Sequence, residues 1–79
     1  MEKRIMPRQR VFKGGLIEFS GGALDCVIRN LSSTGAALEV ESPIGVPDQF
    51  ILVFKADKCS RSCRVIWKAK LRIGVAFCD

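Results

Sequence analysis

Seventy-nine residues, 48% of them hydrophobic and 27% charged, make one small domain and exclude a two-lobed enzyme with a cleft between domains. The absence of His and Tyr removes a Ser-His-Asp triad, a Cys-His dyad, a His-ligated metal and a Tyr general acid, so a non-enzymatic protein is expected. The net charge of +5 is unevenly spread: residues 1–13 carry five basic groups against Glu2, residues 14–54 carry Arg29 against five carboxylates, and residues 55–79 carry seven basic groups against two acidic ones. Basic ends around an acidic middle point to an anionic partner, whether nucleic acid, an acidic membrane surface or a small phosphorylated ligand.

Residues 1–9 show neither alternation nor a helical stripe, and Pro7 biases Met6 away from the helical region, so an extended basic N-terminal arm is predicted there. The domain proper spans residues 10–79. Its first strand runs from Arg10 through Phe19 with a bulge or bend at Gly14-Gly15, and Ser20-Gly21-Gly22 turns it into a hairpin. Leu24, Cys26 and Ile28 alternate with Asp25, Val27 and Arg29, and Ala36, Leu38 and Val40 alternate with Ala37, Glu39 and Glu41, the period of half-buried strands. Between them, Asn30-Leu31-Ser32-Ser33-Thr34-Gly35 reads as a turn of short polar side chains ending in a residue free to adopt positive φ. Two prolines make Ser42–Asp48 a loop. Phe50–Phe54 is a short apolar strand, Cys59, Cys63, Val65 and Trp67 share one face of the next, and Leu71, Ile73, Val75 and Phe77 repeat the pattern in the last. Six short strands imply an all-β, six-stranded antiparallel barrel, with no C-terminal helix.

The longest large-apolar run, Phe50–Phe54, is far short of a membrane span, and no signal-peptide core follows Met1, so a cytoplasmic location with reduced thiols is expected. Cys26, Cys59, Cys63 and Cys78 contain no Cys-x2-Cys knuckle, which argues against zinc. In an extended strand, Cys59 and Cys63 stand about 13 Å apart, beyond the reach of a disulfide. They read as small core residues. No metal or cofactor is expected.

Two places carry more polarity than folding needs: the arm, with Arg4, Arg8 and Arg10, and the turn holding Asn30, Ser32 and Gly35. Arginine presents a planar fork that pairs bidentately with phosphate or the guanine O6/N7 edge. Asn30 and Ser32 are short enough to fix a ligand edge, and backbone N–H groups near a Gly turn can face an anion.

Arg4-Ile5-Met6-Pro7-Arg8 fits Arg-x-x-x-Arg, and Asn30-Leu31-Ser32-Ser33-Thr34-Gly35 fits Asp/Asn-x-Ser-x-x-Gly. With Val65-Ile66-Trp67 and Ile73-Gly74-Val75-Ala76-Phe77 as closing strands, the chain resembles PilZ domains from about residue 4 to residue 77. The resemblance implies a bacterial second-messenger receptor that binds cyclic di-GMP and relays its state to an unidentified downstream protein. Arg4 and Arg8 would hold phosphates and guanine faces, Asn30 and Ser32 a guanine edge or phosphate, and Gly35 would permit the turn. The arm could fold over the ligand on binding. Asn30 takes the place of an acidic option and both donates and accepts.

Phe12, Phe19, Phe50, Phe54, Trp67 and Phe77 all fall in apolar strand runs and read as core rather than as a base-stacking platform, which disfavours a nucleic-acid-binding barrel. Lys68, Lys70 and Arg72 read as a solvated hairpin. A PilZ-like adaptor that contacts a protein without nucleotide is the alternative to the receptor.

Overall fold

The computed structural model describes residues 9–78. It consists of strands β1 (Gln9–Phe19), β2 (Gly22–Leu31), β3 (Gly35–Glu39), β4 (Gln49–Phe54), β5 (Cys59–Lys68) and β6 (Arg72–Phe77), with one short 3-10 turn at Pro43–Gly45. All pairings are antiparallel, and the order β1-β2-β3-β6-β5-β4 closes on itself through β1 and β4. The closed barrel leaves no exposed sheet edge along the paired segments, the outcome expected of many short amphipathic strands. Among the described residues, no helix is long and apolar enough to cross a membrane.

The alternation read in the sequence sets which side chains fill the barrel. Ile17, Ile28, Leu38, Leu52 and Ile73 are fully buried, and Cys26, Phe50, Phe54, Cys63 and Val75 complete the core around them. Even the apolar run of β4 obeys the two-residue period, because Phe50, Leu52 and Phe54 point inward while Ile51 faces out. The Ser42–Asp48 loop caps one end by burying Val46, and Ser42 accepts from the Ile44 N–H (3.3 Å) to start its turn.

Several expectations are corrected. The β1 bulge lies between Arg10 and Lys13, whereas Gly14 and Gly15 pair in register with Val27 and Cys26. Gly15 instead answers crowding: a Cβ there would stand 3.0 Å from Cys26 Sγ and 3.1 Å from Ile28 Cδ1. Phe12 and Trp67 are not core residues but are 77% and 46% exposed, and Leu71 and Cys59 also face out. Phe12 lies under the Arg29 guanidinium, 5.4 Å from the ring centroid.

Two further bulges decide what the outer wall presents. In β2, Ile28 pairs with Leu38 and Asn30 with Ala37, leaving Arg29 as the extra residue. In β5, Val65 pairs with Val75 and Trp67 with Gly74, leaving Ile66 as the extra residue. One extra residue reverses the in-out phase of everything beyond it. Without the bulges, the inward series Leu24, Cys26, Ile28 would carry Asn30 into the core, and Cys63, Val65 would carry Trp67 there.

Candidate functional site

Turned outward by these bulges, Asn30 and Trp67 become opposite walls of one groove. Successive register partners form the row Arg10, Asn30, Ala37, Gly74, Trp67 across β1, β2, β3, β6 and β5. A neighbouring row runs from Ser32 through Gly35 and Ala76 to Arg64. Asn30 and Trp67 flank Ala37 and Gly74 in the first row, and Ser32 and Arg64 flank Gly35 and Ala76 in the second. The result is a shallow depression of about 280 Å³ lined by Asn30, Ser32, Ala37, Trp67, Gly74 and Ala76 among others.

Each wall has a local cause. The Ser32 hydroxyl accepts from the backbone N–H of Thr34 (3.3 Å) and of Gly35 (3.2 Å), and lies 3.3 Å from both the Gly35 carbonyl and the Thr34 hydroxyl. Its single proton serves one of these two oxygens. Ser32 therefore builds the turn before it can serve a ligand, in the manner of short polar side chains that satisfy their own backbone. The Ser32 N–H donates to the Gly35 carbonyl (2.9 Å), and Phe77 N–H donates to the Thr34 carbonyl (2.8 Å), which ties the turn to β6.

Gly35 is required for a reason other than the one read from the sequence. Gly22 is the sole positive-φ glycine among the described residues, so Gly35 needs no special backbone conformation. Instead, a Cβ on Gly35 would overlap the Val75 carbonyl oxygen of β6. Gly74 plays the equivalent part on the opposite wall: a Cβ there would overlap Nε1, Cε2 and Cζ2 of the Trp67 indole, which occupies that space instead. The indole is held against the barrel wall and remains 46% exposed.

Asn30 is half-buried, and among the described residues its carboxamide has no hydrogen-bond partner. A partly desolvated amide with spare donors and acceptor is a natural ligand contact. Among the described residues, none lining the groove carries a charge, so counter-charge for an anion comes from around it. Arg64, exposed on β5 and paired with the groove residue Ala76, supplies one cation. Arg29 is committed elsewhere, donating to Glu39 Oε1 at 2.7 Å.

Arg4 and Arg8 lie outside the described residues, as does the side chain of Arg10. The backbone of Arg10 is paired with Asn30 and that of Gln9 with Leu31, so the chain enters the barrel beside the first residue of the Asn-x-Ser-x-x-Gly motif. The groove thus joins Asn30, Ser32 and Gly35 to the point where the basic N-terminal segment meets the fold. Reading the sequence alone missed Trp67, Gly74 and Arg64. Gly74 within the strand sequence Arg-Ile-Gly-Val-Ala-Phe was the available signal for a close approach, here that of the Trp67 indole.

The described residues thus form a small closed antiparallel barrel with a surface groove beside its N-terminal entry. The PilZ domain family model matches residues 2–79, and the chain belongs to the PilZ domain family, a family of cyclic di-GMP receptors. Comparison with curated proteins finds no match.

Proposed function

We propose that this protein is a cyclic di-GMP receptor module that holds the nucleotide between the N-terminal arginines and the Asn30–Trp67 groove and relays binding to a protein partner. The observation that carries the reading is the row of register partners from Arg10 through Asn30, Ala37 and Gly74 to Trp67, which sets an entering basic segment, a spare amide, a small-residue floor and an exposed indole side by side.

The division of labour follows from the ligand's chemistry. Cyclic di-GMP carries two phosphodiesters and two planar guanines. Arg4, Arg8 and Arg10 supply the forks for phosphate and for the guanine O6/N7 edge, with Arg64 adding positive charge from the far wall. Asn30 hydrogen-bonds a guanine edge. Trp67, whose indole covers Gly74, offers a flat base an aromatic surface beside the small side chain of Ala37. Ser32 and Gly35 act by fixing the turn that carries Asn30's neighbours.

Calorimetry with cyclic di-GMP, GTP and a short single-stranded oligonucleotide tests the reading. Heat with cyclic di-GMP alone supports the receptor, silence with all three supports the nucleotide-free adaptor, and heat with the oligonucleotide alone supports a nucleic-acid-binding barrel.

A further inference from the structure

The nucleotide reading leaves the basic C-terminal half of the chain largely unused. Residues 59–77, which form the β5–β6 hairpin, contain five basic residues (Arg61, Arg64, Lys68, Lys70 and Arg72) and no acidic one. Arg61 lies over the Phe77 ring, 4.2 Å from its centroid, and Lys68 donates to the Val46 carbonyl at 2.9 Å. Arg64, Lys70 and Arg72 are exposed and have no carboxylate partner among the described residues.

The same hairpin exposes three large apolar side chains: Ile66 at 63%, Trp67 at 46% and Leu71 at 52%. The Ala69 N–H donates to the Arg72 carbonyl (2.8 Å), which makes Lys70 and Leu71 the two tip residues. Trp67, Lys70, Leu71 and Arg72 border a single shallow depression, and the one carboxylate on its rim, Glu39, is paired with Arg29. A contiguous apolar patch set among unpaired cations marks an interaction surface.

We propose that the β5–β6 hairpin docks on an anionic lipid surface, with Leu71, Trp67 and Ile66 entering the interfacial layer and Lys70, Arg72 and Arg64 meeting the headgroups. The charge pattern calls for an anionic partner. The aliphatic side chains choose among such partners, because Ile66 and Leu71 gain from acyl chains and have no comparable use against phosphates or stacked bases. The inference does not rest on the proposed function, but Trp67, Ile66 and Arg64 border both surfaces, so nucleotide and lipid would compete for them.

The test is co-sedimentation of the intact protein with vesicles of phosphatidylcholine alone or containing phosphatidylglycerol, read in parallel through the emission of Trp67, the only tryptophan. The expected result is at least about tenfold stronger partition onto the anionic vesicles, a blue shift of the emission, and release by salt. Lys70→Glu with Arg72→Glu removes the binding, and Leu71→Ser weakens it, while circular dichroism of both variants remains that of the native barrel. Equal partition onto neutral vesicles, or unchanged binding by the folded charge-reversed variant, overturns the proposal. So does binding to a single-stranded oligonucleotide with no binding to vesicles.

Discussion

Asn30 and Trp67 reach opposite walls of one groove by the same device, a single-residue bulge immediately before each of them. Arg29 and Ile66 are the inserted residues, and each reverses the phase of its strand so that a side chain due for the core is presented outside. The expected consequence is that Asn30→Ala and Trp67→Ala each weaken cyclic di-GMP binding by about tenfold, the scale of one hydrogen bond or one base–aromatic contact. Because the Asn30 amide has no partner among the described residues, its removal leaves the thermal midpoint of the unliganded protein nearly unchanged. Calorimetry and thermal melts on the two variants check both statements.

Ser32→Ala has the opposite profile. It removes the acceptor for Thr34 N–H and Gly35 N–H, so the turn loses the hydroxyl that holds it. A loss of about 1 kcal/mol of folding stability is expected, measured by urea unfolding, with Ser32→Thr restoring most of it.

The two glycines separate fold from site. Gly35→Ala drives a methyl group into the Val75 carbonyl, part of the backbone, and is expected to cost about 1–3 kcal/mol of stability. Gly74→Ala meets the Trp67 indole, which can swing away, so the larger effects are a changed tryptophan emission and weaker nucleotide binding. Fluorescence spectra and urea unfolding of the pair distinguish the two outcomes.

Cys26 makes stability depend on alkaline pH. Burial raises its thiol from an ordinary value of 9.0 to about 11, with Lys55 opposing and Asp25 adding to the rise. A folded value above the unfolded one means that the contribution is complete below pH 9.0 and is lost as pH rises through about 11. The thermal midpoint of the native protein is therefore expected to fall more steeply across that window than that of Cys26→Ala. In thiol labelling, the exposed Cys59 and Cys78 react in the native state, whereas the buried Cys26 and Cys63 react only on unfolding.

Much of the barrel was legible because alternation is a direct record of burial. Cys26 and Ile28, Leu38, and Ile73 and Val75 all face the core as their period requires. The turn was legible through its short polar residues but is narrower than the residues 30–35 read from the sequence: Asn30 and Leu31 belong to β2 and Gly35 to β3, where Gly35 serves a close approach of strands. Trp67 was not legible. A bulge adds a residue without any distinctive chemistry, so counting by two from Cys63 and Val65 puts the indole inside, while the sheet register puts it on the surface. Phe12 was misplaced for a different reason: it was assigned to the core for lying in an apolar run, although counting by two from Ile17 already puts it outside, where the structure has it. The part played by Arg64 depends on pairing with Ala76, a contact between strands that no local pattern announces.

An amide and indole NMR titration with cyclic di-GMP tests the central claim most directly, since it reports where the ligand sits. The account predicts shifts concentrated at Arg10, Asn30 to Ala37, Arg64 and Gly74 and at the Trp67 indole N–H, with the core positions Leu52 and Ile17 unmoved. Saturable shifts that leave Asn30, Gly74 and the Trp67 indole undisturbed would contradict it.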